Sequence, residues 1–397
     1  MTPAARLQAA VEILDEVIAA ARDDGPPADI LVTRYFKARR YAGSGDRRAV
    51  RELVFRAVRR SAECPPSGRS AVLGLTDEEP ALAEHFGQPR GPDPILDGEA
   101  HAEAGAVPHW LQRELSPLVS SGEWPALLER APVDVRANVA RIARDDLRTR
   151  LPGSEPTGLS PWGLRLPPDS RVDDRAEFAD GLFEVQDEGS QLIALACATR
   201  PGERIVDLCA GAGGKALALA AAAPEATILA SDTSRDRLSR LAPRAERAGA
   251  TITSKLIDGG RELDQLADWR GTADVVLVDA PCSGSGTWRR NPESRWRLTP
   301  QRLDRLVATQ ARLLDIAAEL VRPGGRIVYA VCSLLRREGA GQAENFFLRH
   351  SSWVAWETAI DAGRLDGTGR LLTPGHDCTD GFFIAGLVRI CQSSEVR

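Results

Sequence analysis

Lysine is scarce in this chain, cysteines form no close pairs, and no long apolar run occurs. Only three of its 51 basic residues are lysine (Lys37, Lys215 and Lys255), so arginine carries the positive charge. The seven cysteines are odd in number, scattered and without a CxxC pair. That spacing argues against a disulfide framework and against a structural zinc site, so no metal is expected and the setting read is reduced and cytoplasmic. No apolar stretch approaches the ~20 residues that span a bilayer, which excludes a membrane helix as a partner surface. The opening MTPAARLQAAVEILDEVIAA has no basic n-region ahead of an apolar core and cleavage site, so no signal peptide is expected. A net basic charge is missing too: the formal value is −5.

What is present is a strand with chemistry at its end. VVLVDAPCSGSGTWRR, from Val275 to Arg290, is apolar and β-branched up to Asp279 and is stopped by Pro281. Such a run reads as a buried parallel strand, and the loop after its carboxyl end is where open α/β sheets bind ligands. That loop carries Asp279, Cys282, Gly284, Gly286, Arg289 and Arg290. A second thiol, Cys332, ends another strand in RIVYAVCS. Two thiols at two strand ends of one sheet call for an explanation.

The rest of the chain divides by pattern. Leu7, Val11, Leu14 and Ile18 recur at helical spacing, and helices are predicted over 4–21, 28–38 and onward from a turn at 43–46 with Asp46 as N-cap. Short helices and long connections are expected in 64–100, and two more helices in 107–130. Residues 1–125 are thus read as a helical domain and 126–180 as a small α+β lead-in subdomain. From 181 to 397 strands and helices alternate, which predicts a doubly wound, mostly parallel sheet. GFFIAGLVRI near the end is expected to be an antiparallel edge strand. Between Arg34 and Arg60 ten basic residues (Arg34, Lys37, Arg39, Arg40, Arg47, Arg48, Arg51, Arg56, Arg59 and Arg60) face only Asp46 and Glu52, the footprint of phosphate binding or of a solvated face.

DLCAGAGGK, from Asp207 to Lys215, lies between a strand and a helix. Gly211, Gly213 and Gly214 let backbone approach a ligand, and the helix N-terminus offers free N–H groups. Asp232 ends the next strand, placed to accept from ribose hydroxyls, and Asp258 ends the one after, where it could meet an adenine amino group. The spacing is neither GxGxxG nor GxxxxGK[ST], which points away from a dinucleotide or triphosphate. S-Adenosylmethionine fits, with its methionine moiety near the glycine loop and Asp279.

VQDEGSQL, DLCAGAGGKALALA, DAPCSGSGTWRRNPESRW, RIVYAVCS and DGFFIAGLVR, over roughly residues 180–390, resemble the Sun/Nop2 (RsmB-type) RNA cytosine-5 methyltransferases. The N-terminal RYFKARRYAGSGDRRAVRELVFRAVRR looks like the NusB-like RNA-binding domain of that family's small-subunit rRNA members. The resemblance implies a Rossmann-like S-adenosylmethionine-dependent methyltransferase core and an RNA partner, with rRNA favoured; a monomer is expected. Carried over by position, the cofactor contacts would be Cys209, Ala210, Gly211, Ala212, Gly213, Gly214, Lys215, Asp232, Arg237, Asp258 and Asp279. Cys332 would be the nucleophile and Cys282 the residue needed for release. Where the family usually has threonine this chain has Val331, and its Pro-Glu-Glu-Asn is here Arg336-Arg337-Glu338-Gly339.

The chemistry asks for these residue types. Cytosine C5 is a weak nucleophile until a thiolate adds to C6 and makes C5 enamine-like. Lys215 and Asp279 are candidates to absorb charge at N3. Three other readings stand beside this one. A DNA-type enzyme would attack with Cys282 and would not need Cys332. The RNA could be tRNA. Or the chain could be a non-catalytic RNA-binding assembly factor.

Overall fold

A computed structural model describes residues 1–23 and 25–391, which form two compact units. The first comprises Met1–Leu115, Ser120–Arg130 and Thr287–Arg302; the second comprises Ser116–Val119, Ala131–Gly286 and the chain from Leu303 onward. Residues 287–302, expected within the domain of the doubly wound sheet, therefore belong to the helical unit.

In the first unit α1 (Pro3–Arg22) begins at Thr2, whose hydroxyl accepts from the Ala5 N–H at 3.2 Å. Its predicted apolar stripe is in the core: Leu7, Val11, Leu14 and Ile18 are all buried. They pack with Leu31, Val32, Tyr35 and Phe36 of α2 (Ala28–Ala38), with Val50, Val54, Ala57 and Val58 of α3 (Ser44–Arg60), and with α4 (Gly68–Thr76). Trp296, from the late segment, completes the same core. Two expectations are corrected here. Asp46 is not the N-cap of α3; Gly43 is, and Asp46 sits in the first turn, accepting from Arg6 Nε at 2.8 Å. The two helices expected in 107–130 are short 3₁₀ turns, His109–Leu111 and Ser121–Leu127. Pro125 inside the second removes an N–H that a continuing helix needs.

The second unit opens with a four-stranded antiparallel sheet. It contains β1 (Val133–Ala137), β2 (Glu155–Pro156), β3 (Gly163–Leu166) and β4 (Phe183–Val185) in the order β2-β3-β1-β4. Val135, Ala137, Leu164 and Phe183 from its strands and Leu147 from α5 (Arg144–Arg150) form its core. α6 (Ala176–Ala179) precedes β4, and α7 (Glu188–Ala196) follows it, capped by Asp187.

Strand and helix then alternate as predicted. β5 (Arg204–Asp207), α8 (Gly214–Ala222), β6 (Thr227–Asp232), α9 (Arg235–Leu238), α10 (Leu241–Ala248), β7 (Thr253–Leu256), α11 (Glu262–Gln265), β8 (Ala273–Asp279), α12 (Pro300–Leu320), β9 (Val321–Val331) and α13 (Ala340–Arg349) follow in turn. The single helix expected from Ser234 to Ala248 is two, because Pro243 in the first turn of α10 supplies no N–H to the preceding turn. β10 (Trp353–Trp356), β11 (Arg364–Asp366), β12 (Gly369–Leu372), α14 (Pro374–Asp377) and β13 (Phe382–Arg389) end the described chain.

β7, β6, β5, β8 and β9 are parallel neighbours in that order, and β13 pairs antiparallel with β9. The antiparallel sense of β13 agrees with the sequence, but its place at the edge does not. β12 and β10 both pair with its other side, and Phe382 to Leu387 are buried. These late strands are three or four residues long, too short for periodicity to announce. Because the five central strands are parallel, the chain leaves each of them at the same edge of the sheet. That edge gathers Asp207, Asp232, Asp279 and the turn after Val331.

Candidate active site

The glycine loop leaves β5 after Asp207. Gly211 and Gly213 have φ of 56° and 82°, the left-handed region that glycine enters without a Cβ penalty. The two serve different ends. A Cβ on Gly213 would lie 2.1 Å from Leu241 Cδ1, so that glycine lets α10 pack against the loop. A Cβ on Gly211 would meet only Arg237 Nη1, at 4.0 Å, so the backbone there faces open space. Gly214 opens α8, and Ala212 passes its carbonyl to Arg244 Nη1 at 2.7 Å.

Asp232, at the end of β6, is buried and fully engaged. Its Oδ2 accepts from the Gly211 N–H at 2.8 Å; its Oδ1 accepts from the Ser234 N–H at 2.6 Å and from Arg237 Nη2 at 3.0 Å. Arg237 is itself half-exposed, so it can yield its place to a ligand hydroxyl. Asp258, past the end of β7, is exposed and hydrogen-bonded to Gln265 Nε2 at 2.9 Å. Its neighbour Ile257 donates its N–H to the Asp232 carbonyl at 3.1 Å.

Lys215, in the first turn of α8, donates to Asp279 Oδ2 at 2.6 Å. Burial works against the lysine's charge, but Asp279, Cys332 and Asp207 outweigh it, and the net shift of Lys215 is upward. Its ammonium also lies 5.9 Å from the Phe382 ring centroid. Cys209 is a different case: burial, then the charges of Asp207, Asp279 and Asp232, push its thiol well up, so it stays neutral in the loop.

The two predicted thiols meet. Cys282 Sγ and Cys332 Sγ are 3.3 Å apart, both half-buried. Their backbones are joined as well, since the Gly286 N–H donates to the Cys332 carbonyl at 3.1 Å and the Gly381 N–H donates to the Gly286 carbonyl at 2.7 Å. A Cβ on Gly286 would come within 2.0 Å of the Gly381 oxygen, so only glycine fits that crossing. The Cys282 thiol is pushed well up, first by its hydrogen bond to Cys332, then by burial, and then by the charges of Cys332 and Glu338.

Sequence reasoning missed two groups here. Asp207 is fully buried, and no side chain donates a hydrogen bond to its carboxylate. Burial, then the charge of Asp279, pushes it up to about 7. The other is a polar cluster behind the cysteines, made of Ser283, Ser285, Ser333, Gln310 and Glu338, all buried. The signal for it was present: a serine directly follows each cysteine, and a single acid lies six residues past Cys332. Among the described residues no group of histidine, cysteine and acid side chains is arranged to hold a metal.

Comparisons with known proteins bear on this geometry. The family described as 16S rRNA methyltransferase RsmB/F matches residues 194–388. Ribosomal RNA small subunit methyltransferase B of Salmonella paratyphi A is 34% identical over 292 residues, 71% of this chain and 66% of that protein. The chain thus matches just under two thirds of that relative's length. A solved methyltransferase homolog protein from Pyrococcus horikoshii is 26% identical, covering 68% of this chain and 90% of its own at a TM-score of 0.59. The solved protein PH0851 shares the fold over 98% of this chain and 99% of its own, with a TM-score of 0.72 at 21% identity.

Proposed function

We propose that this chain is a member of the 16S rRNA methyltransferase RsmB/F family that it matches, and that it methylates C5 of a cytosine in RNA, with small-subunit rRNA as the substrate. The observation that carries the reading is the pair of thiols 3.3 Å apart at adjoining strand ends, in the same loop cluster as the Lys215–Asp279 pair. One thiol attacks C6 while the other stays within reach of the same base.

S-Adenosylmethionine supplies the electrophilic methyl group when bound. The residues present fit it. Gly211 offers backbone with open space before it, Asp232 offers a buried carboxylate, and Asp279 lies across the loop at the end of β8. Asp232 would take the ribose hydroxyls in exchange for Arg237, and Asp258 would stand at the adenine end. Cys332 acts as nucleophile, at a turn close enough to Lys215 for the two to interact electrostatically. Lys215 and Asp279 together hold a proton near the base's N3, where charge develops as sulfur adds to C6. Cys282 takes part in release, when the C5 proton leaves and the C6–sulfur bond breaks. The target base leaves its stack to reach the loops, as enzymes acting on a base require.

If Asp232 holds the ribose, Asp232→Ala weakens S-adenosylmethionine binding by about 1–3 kcal/mol, the cost of stranding buried donors. Titration calorimetry measures this, and an unchanged affinity would remove Asp232 from the cofactor site.

The helical unit supports RNA as the substrate, but with a smaller face than composition suggested. Arg39 pairs with Glu12, Arg56 with Glu79, and Arg60 with Asp77 and Glu78, so these three serve the fold. Arg59 is half-buried beside the Phe55 ring. Arg34, Lys37, Arg40, Arg47, Arg48 and Arg51 remain exposed and available to phosphates. Replacing Arg40, Arg48 and Arg51 together by glutamine should flatten the slope of log affinity against log salt by about 2, since each single-strand phosphate contact contributes about 0.7. Filter binding across a salt series reads the slope directly. A slope equal to wild type would make this a solvated face and nothing more.

A further inference from the structure

Position alone does not distinguish the two thiols. Both follow a parallel strand, both are half-buried, and each is followed by a serine. What differs is a carboxylate. Glu338 lies on the turn between β9 and α13 and is fully buried. Its Oε1 accepts from the Ser283 N–H at 2.9 Å and from Gln310 Nε2 at 2.9 Å; its Oε2 accepts from the Ser333 hydroxyl at 2.6 Å. One side chain thus holds the residue immediately after each cysteine.

Further bonds stiffen the same bridge. Ser333 Oγ is 3.2 Å from Ser283 Oγ and 3.1 Å from Ser285 Oγ, and Ser285 Oγ accepts from the Leu334 N–H at 2.9 Å. Gln310 also donates to the Pro281 carbonyl at 2.9 Å, tying α12 to the loop just before Cys282. The Glu338 backbone carbonyl accepts from the Tyr329 hydroxyl at 2.6 Å. All three donors to the carboxylate are neutral, so its negative charge is solvated without being cancelled. Such a charge disfavours a second anion nearby. It acts on Cys282, whereas the Cys332 turn lies in the field of the Lys215 ammonium.

We propose that Glu338 is a positioning residue that decides which thiol attacks: it ties the turns after both cysteines into one rigid unit and sets a negative charge beside Cys282, so that attack falls to Cys332. This rests on the cytosine C5 reading above, in which one thiol adds to the base and the other serves release. It goes further in naming what makes the two thiols unequal.

Thiol inequality is measured without RNA or methyl donor, so the outcome is independent of whether the RNA reaction is as proposed. The full-length protein is treated with iodoacetamide at neutral pH, and alkylation at each cysteine is followed by peptide mass spectrometry. In wild type Cys332 is expected to react first, by about tenfold or more. Glu338→Gln keeps an oxygen for the Ser283 N–H and Gln310 and an amide that can donate to Ser333, but removes the charge. It should raise the Cys282 rate relative to Cys332 by about tenfold. Ser333→Ala keeps the charge while loosening the bridge, and should hold the wild-type order of the thiols while lowering kcat at unchanged KM. An unchanged ratio in folded Glu338→Gln overturns the proposal. So does a ratio that moves equally in Ser333→Ala, which would make the effect one of packing. Wild type alone supplies a test that no folding defect affects. Tyr329 of β9, Cys332 and Glu338 lie around Cys282, and its alkylation at neutral pH should be slower than that of Cys332; the reverse order overturns the assignment.

Discussion

Cys282→Ala protein incubated with RNA and S-adenosylmethionine is expected to accumulate a covalent protein–RNA species of reduced mobility on a denaturing gel, while Cys332→Ala forms none. The reasoning follows the two strand ends. Cys332 stands at the end of β9, beside the Lys215–Asp279 pair that can meet charge on the base. Removing it removes the nucleophile, and turnover should fall by about four orders of magnitude or more, the scale on which loss of an attacking group acts. Cys282 stands 3.3 Å away with its thiol held neutral. Without it, sulfur can still add to C6 and C5 can still take the methyl group, but elimination stalls and the adduct persists. A DNA-type mechanism gives the opposite pattern, with no adduct from Cys282→Ala and activity retained in Cys332→Ala. If neither variant forms an adduct and both melt early, the cysteines only pack. One gel with wild type and both variants separates these outcomes.

The second large effect is on stability. Arg295→Ala should destabilise the helical unit by about 3–5 kcal/mol, lowering its Tm by roughly 10–20 °C. Arg295 is 1% exposed. Its guanidinium donates to the carbonyls of Ala106, Val58, Arg59 and Ser61. Val58 and Arg59 lie in the last turn of α3, where carbonyls have no partner within the helix and carry the negative end of its dipole. A buried cation there satisfies four acceptors at once. Burial, then the charge of Arg59, pushes Arg295 down to about 9, so it is still charged at neutral pH. Alanine leaves the acceptors unmet and a cavity beside Trp296, whose Nε1 donates to the Ser61 carbonyl at 2.9 Å. Lysine restores the charge without the fork that reaches several carbonyls, so Arg295→Lys should recover only part of the loss. Thermal unfolding followed by circular dichroism tests this, and a Tm for Arg295→Ala within a degree or two of wild type would contradict it.

Much of the candidate site was legible because its signals are short-range. An apolar run that stops at an acid reads as a strand with a functional end, whatever surrounds it. Two of the acids so read, Asp232 and Asp279, end parallel strands whose carboxyl ends share one edge, whereas Asp258 lies two residues past the end of its strand. The glycines at 211 and 213 do adopt the conformations that only glycine takes easily. The arginine cluster was legible only as a count. Its charge is divided by Glu12, Asp77, Glu78 and Glu79, which lie outside the stretch that was counted.

By itself, then, the chain's sequence determined the strand and helix alternation, the helical first unit, the loop at Cys282 and the turn at Cys332. Each is set by neighbours within one or two turns, where spacing alone decides which face is apolar. Tertiary structure decided what depends on distant partners. It sent residues 287–302 into the helical unit, because Arg295 finds its acceptors 189 to 237 positions away. It placed β13 inside the sheet, because short late strands cover its free edge. It brought the thiols together and put Glu338 behind them, joining residues 55 positions apart. Hydrogen bonds of that range are selected by the packed fold as a whole, since a buried donor or acceptor must find whichever partner the fold brings near.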